Sequence, residues 1–384
     1  MKRIFQILVL TLFLNLFCST VPAQNKSVNQ SRETLKVGVF LDLTDATAAF
    51  GIATRNGILL ALEEFNQTGS KKIELLFEDD KARPEIARAA VEKLINEDKV
   101  HAILGEVAST NSLAAAPVAQ KAKIPMISTA STNPKVTQVG DYIFRACFID
   151  PLQGEAMARF AVQTLSARRA AIIYDASSDY SKSLVATFNR TFTALGGKIV
   201  RTDSYAQRDQ NFKAQLTAIR RAKPDVIYVS GYYGEAGVIV KQARGLRMYL
   251  PMLGGDGWDS PELFSLGRNA LRNTFITSHF AADSSLVEAR NFTAKYEARY
   301  KTKPDLLAAL GYDALNLLID AWRRAGTTNG EKLRNAIAET KDFAGVTGKI
   351  TFDRSRDPVK QVVVLRTDAA NKTFRYQETI LPKQ

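Results

Sequence analysis

The sequence has few of the residues on which many enzymes and metal sites depend. Among 384 residues there are 2 cysteines and 2 histidines, His101 and His279. Two histidines cannot form a multi-histidine metal site, and no cysteine pair has the spacing of a zinc site. The G-x-S-x-G nucleophile motif and the P-loop are also absent from the sequence. These absences leave no candidate constellation for catalysis, and the sequence predicts neither a cofactor nor a metal.

Two motifs that are present have ordinary structural explanations. The loop GGDGWDS (Gly254–Ser260) lacks the third glycine of a dinucleotide-binding fingerprint, and no acidic residue follows at the required spacing. The carboxylate pair Asp79 and Asp80 ends a predicted strand just before a helix that starts at Pro84, where acids more often serve as caps. Neither motif predicts chemistry of its own.

The apolar run that opens the chain is too short to span a membrane. It covers Ile4–Phe17, follows the basic pair Lys2–Arg3, and is shorter than the roughly 18 residues that a span requires. Val21–Ala23 places small residues at a cleavage site, which predicts a secretory signal peptide that ends at residue 23. Lipid attachment at Cys18 is the weaker alternative, because a bulky phenylalanine precedes it. The sequence therefore predicts a periplasmic protein.

Removal of that peptide leaves Cys147 as the only cysteine, so the fold has no internal disulfide and depends on its core. The formal charge of +13 falls by two, to +11, without Lys2 and Arg3. The basic residues are scattered among acids on predicted helices and form no basic tract. This pattern indicates solvated helix faces rather than a nucleic-acid surface, and we expect no nucleic-acid partner.

From residue 35 the sequence alternates between predicted strands and helices. Leu35–Leu41, Ile73–Asp79 and Val100–Gly105 are apolar without in–out alternation, which is typical of a parallel sheet covered on both faces. A second series begins after about residue 150, with strands at Ala171–Asp175 and Asp225–Ser230. The pattern predicts an α/β fold with two parallel-sheet lobes, in agreement with the two domains suggested by the length.

Three successive helices, at about Ser285–Tyr300, Asp305–Ala325 and Glu331–Thr340, do not extend a lobe that needs strand–helix alternation. We therefore place them on the first lobe and expect the late strands Gly348–Asp353 and Gln361–Thr367 in the second. The chain then crosses between lobes three times, near residues 144–151, 277–282 and 345–351. The predicted lobes are residues 33–147 with 281–347, and residues 148–280 with 348–384. A hinge of three segments permits closure.

Small hydroxyl residues follow the fourth predicted strand. Ala130, Ser131 and Thr132 have little bulk to cover their backbone N–H groups, and ligands in open α/β sheets bind outside the carboxyl ends of strands. Such a strand end suits a small anion, most simply a carboxylate. For this stretch alone, a turn that only caps a helix is the alternative.

The second lobe offers complementary groups at its strand ends. Tyr180, Tyr232 and the acidic Asp256 predict a cation site, so a ligand with a carboxylate and an ammonium on one small frame fits both lobes. Phe50, Tyr232 and Trp258 are candidates to bound an apolar side chain, although a core role for each is equally compatible with the sequence.

Taken together, GEVASTNS (Gly105–Ser112), PMISTASTNP (Pro125–Pro134) and GGDGWDSPEL (Gly254–Leu263) resemble the leucine/isoleucine/valine-binding family of periplasmic solute-binding proteins. The resemblance runs from about Lys36 to Thr367. It implies a type I periplasmic binding fold and a monomer that captures an aliphatic or branched-chain amino acid for an ABC permease in the membrane.

The resemblance also implies roles for individual residues. Ser109 and Thr132 would bind the ligand carboxylate, and the Ala130 carbonyl, Tyr232 and Asp256 would receive the ammonium. Tyr180 would contact the ligand from the second lobe, while Phe50 would line the side-chain pocket. The best-known members have Tyr in place of Phe50 and Glu in place of Asp256, and they carry a cysteine pair at the positions of Ala82 and Ala108.

Two other functions stay open at this stage. One is a sensor module of the same fold that binds an amide, a urea or an aromatic acid. The other is an enzyme acting in the cleft, against which the absence of a nucleophile–base pair argues. The sequence does not identify the ligand, because one methylene in an apolar pocket changes binding by only about 1–3 kcal/mol.

Overall fold

The computed structural model describes residues 34–67 and 71–381, and the predicted signal peptide, residues 1–23, lies outside the described residues. Within them, strands and helices alternate from β1 at Thr34–Leu41 onward, as the sequence predicts. Within the described residues, no helix combines the length and the apolar character that a membrane span requires.

The first part of the chain forms a five-stranded parallel sheet with helical connections. Its elements are β1 (Thr34–Leu41), α1 (Ala48–Asn66), β2 (Lys72–Asp79), α2 (Pro84–Asn96), β3 (Ala102–Leu104), α3 (Ser109–Ala122), β4 (Met126–Ser128), α4 (Lys135–Gln138) and β5 (Ile143–Arg145). The strand order is β2–β1–β3–β4–β5, and every pairing is parallel. The loops that follow β1, β3 and β4 therefore lie at one edge of this sheet.

The next part builds most of a second sheet. Its elements are α5 (Asp150–Gln163), β6 (Arg169–Asp175), α6 (Asp179–Ala194), β7 (Lys198–Tyr205), α7 (Lys213–Ala222), β8 (Val226–Ser230), α8 (Tyr233–Gly245), β9 (Met252–Gly254), α9 (Pro261–Gly267) and β10 (Thr274–Ser278). Helix α6 ends just before Gly196 and Gly197, as predicted, and Gly196 takes the left-handed conformation with φ +85° that suits a helix end.

The last part of the chain supplies helices first and antiparallel strands afterwards. Its elements are α10 (Val287–Tyr300), α11 (Leu306–Ala325), α12 (Gly330–Ala338), β11 (Phe343–Gly345), β12 (Gly348–Ile350), β13 (Val362–Asp368) and β14 (Thr373–Ile380). The second sheet has the order β14–β13–β10–β9–β8–β6–β7. Strands β13 and β14 are antiparallel at its edge, whereas β6 to β10 run parallel.

Helix α11 packs against α1 beside the first sheet, as the sequence analysis expects for the late helices. The two backbones approach closely at Gly57 and Gly311. A Cβ atom on Gly57 would lie 1.9 Å from the carbonyl oxygen of Ala308, and one on Gly311 would lie 2.3 Å from that of Thr54. Asp305 caps the start of α11 by accepting a hydrogen bond from the Ala308 N–H at 2.9 Å. Small residues thus set the distance between these helices.

One strand differs from the prediction. Gly348–Asp353 is predicted as one late strand of the second lobe, but the strand β12 covers only Gly348–Ile350 and pairs with β11 in a two-stranded hairpin outside both larger sheets. The turn is held by Asp313, which accepts hydrogen bonds from the N–H groups of Val346 and Thr347 at 2.7 and 3.0 Å. Gly348 has φ +98°, a conformation that glycine adopts at little cost. The exact lobe boundaries remain a prediction.

The close contact between α1 and α11 predicts a strong effect of Gly57→Ala. The added methyl group would overlap a backbone oxygen, so we expect the free energy of unfolding to fall by more than about 2 kcal/mol. Urea denaturation measures this quantity. Gly234→Ala in α8 is the matched control, since its Cβ meets nothing within 4 Å and the change should be neutral or slightly stabilising. Equal stability of the two variants would contradict the packing argument.

Candidate ligand-binding site

A small cavity lies where the loops at the strand ends of both sheets meet. It is lined by eight residues: Phe50, Val107, Ala130, Tyr180, Tyr232, Asp256, Gly257 and Leu307. Four of these belong to elements around the first sheet and four to loops and helices of the second. Apolar and aromatic groups predominate, with one carboxylate among them. The chemistry of this lining therefore suits a small, partly apolar solute that carries a positive charge.

Asp256 is the charged group of this cavity, and its orientation is fixed by neighbours. Its side chain is 6% exposed, and Oδ1 accepts a hydrogen bond of 2.7 Å from the Tyr180 hydroxyl. Oδ2 lies 3.1 Å from Nε2 of His279. Gly257 N–H donates to the Tyr180 oxygen at 2.9 Å, which fixes the tyrosine in turn. The carboxylate is thus held in place before any ligand is considered.

His279 supports Asp256 as a neutral ring. Burial lowers the pKa of His279 to about 4 despite the opposing effect of the nearby Asp256 carboxylate. A neutral imidazole that donates to a carboxylate carries its proton on the facing nitrogen, so we assign the proton to Nε2. The ring stacks on Phe148 with centroids 3.4 Å apart. His279 therefore offers Asp256 an oriented N–H donor and no positive charge.

An aromatic wall bounds the cavity beside Asp256. Tyr180 and Tyr232 stack with centroids 5.3 Å apart, and Phe50 meets Tyr232 edge-on at 5.6 Å. Burial raises the pKa values of both tyrosines well above their usual range, so their hydroxyls stay protonated at neutral pH. Phe50 comes from α1 in the first lobe, whereas Tyr180 and Tyr232 belong to the second. The same aromatic rings therefore line the cavity and form contacts between the lobes.

Ser109, Ser131 and Thr132, the hydroxyl residues of the predicted carboxylate site, are all buried, but their hydroxyl groups have different neighbours. The Ser131 hydroxyl lies 2.8 Å from that of Ser112 and also contacts the Glu106 carbonyl at 3.0 Å, so it binds within its own lobe. Ser109 Oγ accepts a hydrogen bond of 3.2 Å from the Asn133 N–H. The hydroxyl of Thr132 is buried beside the Asp150 carboxyl group, and a hydrogen bond from it acts to lower the pKa of that acid. All three hydroxyls thus have neighbours within the protein.

Glu106 holds the loop that carries Ser109. Its two carboxyl oxygens accept hydrogen bonds from the N–H groups of Asp42 and Ala108, which joins the ends of β1 and β3. Burial, together with the nearby Asp80, raises the pKa of Glu106 well above its ordinary value. This carboxyl group acts on the loop conformation rather than in the cavity.

Asp79 and Asp80, expected to act as helix caps, hold loops instead. Asp79 accepts from the Leu43 N–H at 2.9 Å and Asp80 from the Ala82 N–H at 3.0 Å. Helix α2 begins at Pro84 without a side-chain cap, and proline at the first helical position leaves one fewer N–H group to satisfy. The two acids therefore tie together the strand ends next to the cleft.

Direct contacts join the two lobes around the cavity. The carbonyl of Asp179, at the start of α6, accepts a hydrogen bond of 2.8 Å from Asn133 Nδ2. The N–H of Asp179 donates to Thr110 Oγ1 at 3.1 Å. Arg208 forms an ion pair of 2.9 Å with Asp45. These contacts describe a closed arrangement of the two lobes.

The comparisons with known proteins agree with this geometry. Residues 34–372 match the family model described as periplasmic binding protein. The chain belongs to the periplasmic binding protein family. A solved leucine binding protein, LivK of Thermotoga maritima, is 40% identical with a TM-score of 0.87, covering 91% of this chain and 99% of that chain. The expected type I fold and family resemblance are thereby confirmed.

Two further solved relatives bind different ligands. LivJ of Streptococcus pneumoniae, solved in complex with isoleucine, is 32% identical with a TM-score of 0.86, covering 91% of this chain and 100% of that chain. A solute binding protein of Rhodopseudomonas palustris BisB5, solved with 3,4-dihydroxybenzoic acid, is 27% identical with a TM-score of 0.81, covering 91% and 96%. Solved relatives of this binding protein therefore include amino-acid and aromatic-acid complexes.

Some residues at the site carried no recognisable signal in the sequence. Val107 and Leu307 line the cavity, although Leu307 lies at the start of α11 and resembles any core residue of an apolar helix. Trp258, expected as a possible pocket residue, is fully buried, and its ring would lie 2.5 Å from a Cβ placed on Gly254. It packs beneath β9 rather than lining the cavity.

Asp150 and Gln153 form a second polar layer that the sequence analysis missed. Gln153 Nε2 donates to Asp150 Oδ1 at 3.1 Å, while its Oε1 accepts from the Asp256 N–H at 3.3 Å and from Thr277 Oγ1 at 2.8 Å. Burial raises the pKa of Asp150 to about 7. An acidic residue at a helix start is usually a cap, so the sequence position of Asp150 does not indicate its contact with Gln153.

The raised pKa of Asp150 predicts a pH dependence of stability. An acid with a folded-state pKa near 7 and an ordinary unfolded pKa stabilises the fold at low pH, and this contribution is lost as pH rises from about 4 to 7. Asp150→Asn does not titrate, so its stability relative to wild type should increase over that window and then level off. Urea unfolding at pH 4, 6 and 8 measures the difference. Asp342→Asn, at an exposed site, should follow the wild-type profile, and parallel profiles for Asp150→Asn would contradict the assignment.

Proposed function

We propose that this binding protein captures an aliphatic or branched-chain amino acid in the cleft between its lobes and delivers it to an ABC permease. The observation that carries the proposal is the placement of Asp256 and the aromatic wall in one cavity with Ala130 and Phe50 of the opposite lobe. An ammonium group near Asp256 would form charge-assisted hydrogen bonds worth about 1.5–3 kcal/mol each. The relation to LivK and LivJ supports the same ligand class.

The lining of the cavity supports an aliphatic ligand. Phe50, Val107 and Leu307 are apolar and suit an aliphatic side chain. Thr132 and Ser109 would bind the ligand carboxylate. In this proposal, Ser131 contributes its backbone and keeps its hydroxyl within the lobe.

The proposal includes the setting in which the protein works. It acts as a monomer in the periplasm, performs no catalytic step, and requires neither a metal nor another cofactor. Closure exposes a surface shared by both lobes, which is the form that a permease would recognise. A ligand drives closure only through its differential affinity for the closed state, and Asp256 and Tyr180 supply such a difference because they reach the ligand from the second lobe.

A second candidate is the binding of an aromatic acid by the same cleft. Tyr180, Tyr232 and Phe50 can bound an aromatic ring, and the relative from Rhodopseudomonas palustris is solved with such a ligand. An aromatic acid without an amino group gains nothing from Asp256, however, and its carboxylate would be repelled by that residue if it bound nearby. We therefore place the amino acid first.

Calorimetric titration of wild type and Asp256→Ala tests the proposal. We expect wild type to bind at least one of leucine, isoleucine, valine and alanine, and Asp256→Ala to lose more than about 2 kcal/mol of binding free energy with its circular dichroism unchanged. The matched control is Asp45→Ala, which removes a partly exposed acid of the inter-lobe pair and should cost no more than about 1 kcal/mol.

The same titrations separate the two candidates. Binding of 3,4-dihydroxybenzoate by both wild type and Asp256→Ala, without heat from any amino acid, would replace the amino-acid proposal with the aromatic-acid one. Unchanged amino-acid affinity in Asp256→Ala would refute the role given to this carboxylate.

A further inference from the structure

Arg145 is a buried cation at the end of β5, and its guanidinium reaches the loop after β4. Its side chain has no exposed surface. Nη1 donates to the Ser131 carbonyl, and Nη2 donates to the Asn133 carbonyl at 2.9 Å and to Thr137 Oγ1 at 3.0 Å. Cys147 Sγ makes a weaker contact of 3.3 Å with the same Ser131 carbonyl. One side chain thus fixes two carbonyl groups of the predicted anion loop.

These contacts determine the direction of a neighbouring N–H group. The Ser131 carbonyl and the Thr132 N–H belong to one peptide unit, which is trans in this structure. In a planar trans peptide the two groups point in opposite directions. Because the carbonyl faces Arg145, the Thr132 N–H faces away from it. The Thr132 carbonyl is also occupied, since it accepts a 2.9 Å hydrogen bond from the Asp150 N–H.

Asp357 provides the counter-charge of Arg145. Its Oδ1 lies 2.7 Å from Nε of Arg145, with 0% of the arginine side chain and 8% of the aspartate side chain exposed. The same oxygen accepts a hydrogen bond of 2.9 Å from Thr137 Oγ1. A buried arginine without this partner would pay a large desolvation cost. The position of Asp357 therefore governs how firmly Arg145 holds the loop.

Asp357 lies on the segment 351–361, which leads from the β11–β12 hairpin to β13 of the second sheet. Neighbouring side chains fasten this segment to the first lobe. Arg356 donates to the carbonyl groups of Thr137 and Ile143, at 2.6 and 3.2 Å, and Lys360 Nζ donates to that of Ala146 at 3.0 Å. The segment is thus tied to the first lobe up to residue 360, and Val362 is the first residue of β13.

We propose that Arg145 is a positioning residue, which with Asp357 orients the Ser131–Thr132 peptide for the ligand carboxylate and couples the third crossing segment to ligand affinity. The inference rests on the proposed binding of a carboxylate by this loop. It adds a residue that touches no ligand itself. A planar guanidinium can hold two carbonyl groups and a carboxylate at once, whereas the point charge of a lysine cannot reproduce that geometry.

The test compares Arg145→Lys and Asp357→Asn with wild type in titrations with leucine and leucinamide, which lacks the carboxylate. We expect Arg145→Lys to bind leucine at least roughly tenfold more weakly than wild type. Asp357→Asn should also bind leucine more weakly than wild type, but with a smaller loss. The preference for leucine over leucinamide should shrink in both variants. A purely structural role would weaken both ligands equally and leave that preference unchanged.

A control and a ligand-free measurement complete the test. Arg201→Lys alters an arginine–aspartate pair on β7, partly exposed and remote in sequence from the loop, and should leave both affinities unchanged. Backbone hydrogen exchange of residues 129–133 without ligand should be faster in Arg145→Lys and Asp357→Asn, with exchange in β1 unchanged. Asp357→Asn keeps the test informative if Arg145→Lys does not fold.

The outcomes distinguish this inference from the proposed function. Absence of amino-acid binding by wild type would overturn the proposed function, and the exchange rates of residues 129–133 would then decide whether Arg145 orders the loop. Unchanged exchange in both variants would overturn the inference. Binding of leucine with an unaltered preference over leucinamide in both variants would overturn it as well.

Discussion

The site depends on a buried carboxylate that is oriented by neutral groups. Asp256 is hydrogen-bonded to the Tyr180 hydroxyl and to His279, whose pKa is lowered to about 4 by burial, and no lysine or arginine among the described residues forms an ion pair with it. A charge removed from water is costly unless it is paired. A ligand ammonium would provide that pairing, so closure around such a ligand is favoured over closure around an empty cleft.

The two-sheet fold explains why the required groups come from different lobes. Ala130 follows β4 of the first sheet, whereas Tyr232 and Asp256 follow β8 and β9 of the second. Loops at the carboxyl ends of parallel strands can vary without disturbing the sheets that carry them. Each lobe can thus be rigid by itself, while the ligand site is complete only when the lobes meet. In the proposed function, closure and recognition are therefore the same structural event.

Sequence patterns predicted the fold well, because each strand–helix unit leaves a local signal. Apolar strands, Pro84 at the start of α2 and Asp305 before α11 all have their expected places. The hairpin of β11 and β12 was not predicted, because its docking on Asp313 depends on a residue more than thirty positions away. Pairing of distant segments cannot be read from the periodicity of either segment.

The candidate site was predicted best at residues whose type indicates a chemical role. It was predicted less well at residues whose role depends only on their position in the fold. Phe50, Ala130, Tyr180, Tyr232 and Asp256 line the cavity, and the family resemblance selected all five. Leu307 and Val107 were missed because an aliphatic residue in a cavity wall is no different in sequence from one in a core. His279 was noted for its rarity and its place near a crossing, but its contact with Asp256 follows from the tertiary fold.

The acids around the cleft show that this region is not built for stability alone. Burial raises the pKa values of Asp80 and Asp150 to about 7 and that of Asp305 to about 6, so these groups oppose folding at neutral pH relative to ordinary surface acids. They persist because each accepts hydrogen bonds that fix a strand end or a helix start. Perturbed pKa values tend to gather at functional sites for this reason. Here the buried carboxyl groups lower stability but hold the loops in one conformation. A cleft that recognises a small solute requires such fixed loops.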